Sequence, residues 1–508
     1  MRLVAARPVP LHGRSIPAHP CAPVREPTAA ARGRSRSARQ LASVAVLSGL
    51  CALALPSSAS AATRTQIKHA KAAGLSYVES QQQANGSFPG DPGDPSFEFG
   101  GEWALTALAA AHVAPASVKL NGTATDARTY YRELIGDTAT WPGTSEPLVE
   151  DFETATLAAY AAGIDPARVS ATQNLIAQII AGYQPSSPGY YGEPALFNAT
   201  VFGLLALADG KTRMGKQRVP QALLEASVTV VRKNQHTDGG WSYQKAEGSK
   251  TALESPAEVE LTGAAMAALC GAGVSAGDPA IVAAKDYLVG QLQAEPFGSG
   301  AFETEFGPNT DSNAWAVEGL NACGISPQGV EFTTAQGKTP LDFLVSQQLA
   351  GGGFGYEVGE ENPNFYSSQD ALRALAGGGF TAAPPKPTGA ARWVYETQFS
   401  TSKSVTALLS LIIDRGSGPL GVCAVKMSPE ATKTTLADVL QAAEGSAEPA
   451  GCVTGFSPTS GSGAITSIDG APSPPAADWK VSVDGGHERQ AKRNTTIEIG
   501  DTIYLRLA

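Results

Sequence analysis

Histidine and cysteine are scarce in this chain, six of each among 508 residues, and both bear on function. A zinc site needs a cluster of Cys, His or carboxylate ligands. Once residues 1–61 are set aside the histidines are only His69, His112, His236 and His487, and no such cluster can be assembled from them with confidence. Basic charge is also short, with 37 Lys and Arg against 47 Asp and Glu. Much of it lies at the start, where eight Arg stand against one Glu in residues 1–61, so removing that segment takes the formal charge from −10 to about −17. No basic patch survives, which argues against nucleic acid and anionic membrane surfaces as partners. The apolar run over 41–55 is too short to anchor the chain in a bilayer.

Residues 1–61 read instead as a secretory signal: Arg32, Arg34, Arg36 and Arg39, the apolar run, then the small-residue site Ala59-Ser60-Ala61. Export makes the four remaining cysteines, an even number, candidates for two disulfides, Cys270 with Cys323 and Cys423 with Cys452. Four small buried hydrophobes is the other reading of them.

The body of the chain is organised by a helix pair, seen best over 280–327: an apolar-periodic helix, a Gly-rich aromatic loop, then a second helix opening at Asp311 and closing at Gly324. The second helices end in a small-residue stop followed by an apolar residue and a proline, at His112, Gly163, Gly273, Gly324 and Gly379. Between the stops recur Gln, Gly and an aromatic: QQQANGSF ending at Phe88, NQHTDGGW at Trp241 and SQQLAGGGF at Phe354. Six pairs result, with helices expected over 66–83 and 101–111, 124–135 and 151–162, 170–181 and 195–208, 221–232 and 256–270, about 281–292 and 311–324, and 340–349 and 367–376. Second-to-first connections are short. First-to-second connections are long, and a ring of six pairs gathers them at one mouth.

These signatures and the six pairs resemble the prenyltransferase and squalene-cyclase repeat family, whose fold is an α/α toroid, over roughly residues 65–380. The expected architecture is therefore mainly α: an (α/α)6 toroid over 62–380, a linker and packing segment over 381–417 whose part 393–413 is ambiguous and reads as one strand and a last helix at 404–413, and a small β-rich domain over 418–508. In that last region a Leu-rich helix precedes Ile468-Asp469-Gly470, Trp479 with Val483-Asp484-Gly485, and Gly500-Asp501. The order resembles the C-terminal domain of transcobalamin and intrinsic factor, secreted carriers that also join a toroid to a small domain. That resemblance implies a sizeable ligand, with a corrinoid first to be tried, held between the toroid mouth and the small domain.

The catalytic marks of other toroids are missing. There is no DxDD cluster to protonate an olefin, no Cys-Gln thioester, and no cationic platform for a diphosphate. A paired-carboxylate glycosidase stays open because acids are plentiful. The residues favour binding over catalysis, no cofactor is required, and the expected partners are a small molecule and a cell-surface protein.

Aligning the second helices on their stops, with Gly271 used for the fourth, yields a rung of candidate ligand-binding residues. Phe99, Glu150, Phe197, Glu258, Asp311 and Tyr366 stand level, and Trp103, Trp315 and Asp370 lie one turn deeper. Trp479 joins them from the small domain. Asp311 and Ser367 read equally as helix N-caps, and the tryptophans equally as core.

Overall fold

The computed structural model describes residues 61–508 except 91–99, 121–124, 138–140, 143–146, 194, 215–216, 295–297, 383–406, 428–433, 459–462 and 473–477. These residues belong to one compact unit. The expected signal segment up to Ser60, Phe99 and most of the linker lie outside them.

Twelve helices build the ring. The outer ones are α1 (Arg64–Ser80), α3 (Ala127–Gly136), α5 (Leu175–Ala181), α7 (Gln221–Lys233), α10 (Pro279–Ala294) and α12 (Pro340–Ser346). The inner ones are α2 (Gly100–Ala110), α4 (Val149–Ala162), α6 (Asn198–Met214), α9 (Val259–Gly271), α11 (Thr310–Ala322) and α13 (Phe365–Leu375). A short helix, α8 (Lys250–Glu254), sits in the long fourth loop. Each inner helix packs on the next, and α13 returns to α2, so the ring is closed.

Composition sorts the two layers. Outer α7 buries one stripe, Leu223, Leu224, Ser227, Val228, Val230 and Val231, the mark of a helix with one wet face. Inner α4 buries all of its residues. Small residues let the inner helices approach: a Cβ on Gly263 of α9 would lie 2.2 Å from Trp315 O, and one on Gly319 of α11 would lie 2.3 Å from Gly263 O. The left-handed stops fall at His112, Gly163, Gly273 and Gly324 as expected, but after α13 the residue with positive φ is Gly377, not Gly379.

Gly379 belongs to a return stretch that runs back inside the ring. Gly378 lies against Ala110, Gly379 lies beside Glu318 O, and Ala382 packs on Ala109 and Ala161. Phe380 thereby meets Trp103 of α2, Phe202 of α6 and Trp315 of α11, with ring centroids 6.3, 5.6 and 5.0 Å away. Three helices from around the ring converge on this one side chain, so the centre of the toroid is filled by an aromatic plug.

The β-rich domain holds β1 (Ala407–Asp414), β2 (Gly421–Met427), β3 (Thr434–Thr435), α14 (Leu436–Ser446), β4 (Ala447–Glu448), β5 (Phe456–Pro458), β6 (Ile465–Ile468), β7 (Ala471–Pro472), β8 (Trp479–Val483), β9 (Arg489–Gln490), β10 (Thr496–Ile497) and β11 (Thr502–Leu507). Its main sheet has the order β4-β2-β1-β11-β8-β9, with β1 parallel to β11. The helix expected at 404–413 is thus strand β1 in the middle of a sheet: its run ALLSLIID is buried up to Ile413, which suits a central strand as well as a buried helix. α14 carries a capping box between Thr435 and Asp438.

Both disulfides pair as expected. Cys270–Cys323 joins the C-terminal ends of α9 and α11 with Cα atoms 5.3 Å apart, and Cys423–Cys452 closes a loop within the small domain. Among the described residues no helix is long and apolar enough to cross a membrane.

The small domain meets the toroid at its short connections. Arg168 and Arg218, from the turns after α4 and α6, both reach Asp484 of the small domain at 3.1 and 3.2 Å. Arg168 also reaches Asp501 at 2.7 Å, and both arginines share Asp165. Asn174, the cap of α5, donates to Leu408 O at 3.0 Å, and Ala177 of α5 packs with Leu408 and Ala424. These turns lie at the C-terminal ends of the inner helices, whereas the long loops lie at their N-terminal ends. The expectation that the small domain faces the mouth is therefore corrected: its Asp484-Gly485 and Gly500-Asp501 turns are docking elements for the opposite end of the ring.

Candidate functional site

At the mouth, the inner helices α9 and α11 open with acids, Glu260 and Asp311. Asn309 caps α11 by accepting from Ser312 N at 2.9 Å, and Asn364 caps α13 by accepting from Tyr366 N and Ser367 N. Asp311 and Ser367 are thus free of the capping role that sequence allowed them. Asp311 lies in the first turn of α11, where a carboxylate suits the helix dipole.

One guanidinium organises the floor beneath. Arg373 is wholly buried, its Nε 3.1 Å from both carboxylate oxygens of Glu318 and its Nη2 2.5 Å from Asp370 Oδ1. Its plane lies 4.7 Å from the centre of the Trp103 ring. Trp315 Nε1 donates to the other oxygen of Asp370 at 2.9 Å. A single cation thus serves two carboxylates. Asp311, close enough to feel Asp370, is pushed up to about 8, chiefly by burial and then by the Asp370 charge, while the Ser367 hydroxyl and Arg373 pull it back. That direction favours the protonated acid over the carboxylate.

Beside it lies a cleft of about 290 Å³ between the fourth and fifth pairs, lined by Glu258, Glu260, Tyr287, Glu303, Glu305 and Phe306 among others. Its lining holds no Lys or Arg. Glu258 Oε2 accepts from Tyr243 N at 2.8 Å. Burial first, then the Glu260 and Glu305 charges, raise Glu258 to about 7. Glu260 is raised by burial and by Glu305. Phe306 is 64 % exposed on the rim.

The rung of candidates is divided by the structure. Asp311, Tyr366, Trp315 and Asp370 gather on α11 and α13, with Glu258 across the cleft. Glu150 stands on the α4–α6 side, where Asn198 Nδ2 approaches it at 3.5 Å, next to the fully buried Phe197. Trp103 and Trp315 are buried in the aromatic plug. Trp479 is fully buried in the separate core of the small domain. Glu260 is missing from the rung: Gly273, the residue that turns left-handed, places Glu260 level with Asp311, whereas alignment on Gly271 selects Glu258. Arg373 was also missed, for nothing in a lone Arg on an amphipathic helix announces that it will be sealed between two acids.

His236 is 4 % exposed, with both ring nitrogens engaged by Ser255 and Ser242. Among the described residues no group of three or more His, Cys, Asp or Glu is placed to hold a metal.

No family model matches the chain, and no curated protein matches it. Among solved structures, a type II terpene cyclase from Scytonema superposes with a TM-score of 0.42 at 16 % identity, over 62 % of this chain and 98 % of its own. An unsaturated glucuronyl hydrolase specific for heparin gives 0.44 at 12 %, over 62 % and 96 %. Haptocorrin in complex with Cbi gives 0.34 at 12 %, over 88 % and 98 %. At these values no residue role passes from them to this chain.

Proposed function

We propose that this is an exported ligand-binding protein whose site is the acidic cleft at the toroid mouth, closed off from the small domain by the body of the ring. The observation that carries this reading is the gathering of four carboxyls, Glu258, Glu260, Glu303 and Glu305, around one cleft whose lining holds no Lys or Arg, with burial raising Glu258 and Glu260 above the ordinary carboxylate range. Such groups donate or accept hydrogen bonds according to what enters, and the Phe306 and Tyr287 rings supply an apolar wall. Ligands rich in amide, hydroxyl or amine groups fit that lining. A corrinoid, with its fringe of amides, is the first to be tried; a cleft of this size would receive one edge of it. The two disulfides support a site of action outside the cell.

The test is native mass spectrometry of the chain as purified, followed by titration with the compound found and with cobinamide. Glu258→Gln and Glu260→Gln should each weaken binding about tenfold, the scale of one charge-assisted hydrogen bond. Affinity unchanged in both variants would move the site elsewhere.

One observation favours a second reading. A carboxyl held protonated beside others that ionise is what general acid catalysis of glycan cleavage requires. Release of reducing ends from an oligosaccharide, lost in Asp311→Asn, would establish it.

A further inference from the structure

The fourth copy of the Gln-Gly-aromatic turn contains an arrangement that its sister copies lack. His236 Nδ1 lies 2.7 Å from the backbone oxygen of Ser255, which can only accept, so Nδ1 carries the ring proton. That leaves Nε2 of the neutral imidazole as an acceptor, and Ser242 Oγ sits 3.0 Å from it. The hydroxyl's other acceptor, Gln244 O, is farther at 3.4 Å. A hydroxyl facing a base whose far nitrogen is fixed by a third group is the geometry of an activated nucleophile.

The turn itself does not demand these residues. Its register is set by a backbone bond from His236 N to Gly240 O, repeated from Gln83 N to Ser87 O in the first copy and from Leu349 N to Gly353 O in the last. The positions of His236 and Ser242 are therefore filled by Gln83 and Pro89 in one and by Leu349 and Gly355 in the other. All three turns form, with or without the dyad. His236 is nearly buried while Ser242 is half-buried, so the base is held rigidly and the nucleophile stands nearer solvent. Ser255 directly precedes Pro256, Ala257 and Glu258 of the mouth cleft, and Glu258 pairs with Trp241, the neighbour of Ser242.

We propose that Ser242 and His236 form a nucleophile–base dyad that cleaves acyl esters at the edge of the mouth. Ser242 Oγ attacks the ester carbonyl and its proton passes to His236 Nε2. The C–O bond to the alcohol breaks as that proton returns to the leaving oxygen, leaving an acyl-Ser242. Water, deprotonated by Nε2, then releases the acid and restores the serine, so ester and water become acid and alcohol. The N–H of Tyr243, next to the nucleophile, is already bonded to Glu258 Oε2, so the oxyanion is poorly served on that side and both acylation and deacylation are slow.

The test is covalent. The purified full chain is treated with a fluorophosphonate and digested, and the modified peptide is mapped. Labelling at Ser242 is expected, along with slow release of nitrophenolate from p-nitrophenyl acetate. Ser242→Ala should abolish both. His236→Gln, which installs the residue of the first copy's turn, should slow labelling at least tenfold with the melting temperature little changed. No adduct on Ser242 in the unmodified sequence, or equal labelling in a folded His236→Gln chain, overturns the proposal. Neither outcome depends on what the cleft binds.

Discussion

Trp315 on α11 donates its indole N–H to Asp370 on α13 at 2.9 Å, and the same carboxylate is held from its other side by Arg373. The tryptophan is therefore tied into the floor of the ring by chemistry as well as by its contacts with Trp103, Phe202 and Phe380. Trp315→Phe keeps most of the ring and removes the donor from a buried charge. It should cost about 1–3 kcal/mol in urea unfolding, and Trp315→Ala about 3–5 kcal/mol. Binding at the cleft should follow stability in both variants, since Trp315 is not among its walls.

Stability should fall as pH rises from about 4.5 to 8. Burial raises Glu102 and Asp311 to about 8 and pushes Glu153 well above the ordinary carboxylate range. A group whose pKa is higher folded than unfolded binds more protons in the folded state across that window. Its contribution is complete below the unfolded value and is lost as pH climbs through the folded one. Glu102→Gln, neutral at every pH, should flatten this slope and melt higher than the natural chain at pH 8. Thermal melts at pH 5 and pH 8 decide the matter, and parallel profiles for the two chains would refute it.

The docking of the small domain should be separable from the folding of the ring. A Cβ on Gly485, whose φ is +67°, would lie 1.8 Å from Gln217 O in the α6–α7 turn. Gly485→Ala should therefore lift the domain, so that limited proteolysis separates it, while the ring stays helical by circular dichroism. Arg218→Ala takes a buried guanidinium from Asp165 and Asp484. A loss of about 3–5 kcal/mol is expected, as for other broken buried pairs.

The Cys270–Cys323 bridge spans 53 residues. Closing a loop of that length stabilises by about 4 kcal/mol through the unfolded chain. The Cys270→Ser, Cys323→Ser double variant should lose up to that amount in denaturant titration, and peptide mapping without reductant should recover both native pairs from the unmodified chain.

Periodicity and turn chemistry made much of this molecule legible. The expected helices match the observed ones within a few residues at most ends because Gly, Pro and the capping residues act locally. The Cys270–Cys323 disulfide follows from near-equivalent places on successive repeats, and Cys423–Cys452 from the two cysteines sharing the small domain. What escaped was decided by distant parts of the chain. The run at 407–414 is apolar but for Ser410 and Asp414, and only its partners β2 and β11 make it a strand. Gly379 looks like a stop but serves a return path. Glu260 is hidden by a two-residue ambiguity between Gly271 and Gly273. The docking role of Asp484 and Asp501 depends on arginines more than 250 positions away, beyond the reach of any local pattern.

The stretch carrying Phe380 lies beyond the last helix of the ring and yet fills its centre. One side chain from outside the six helix pairs is shared by α2, α6 and α11. Phe380 therefore acts as a keystone: helices far apart in the chain lean on the same ring, and none of the three can shift without losing it.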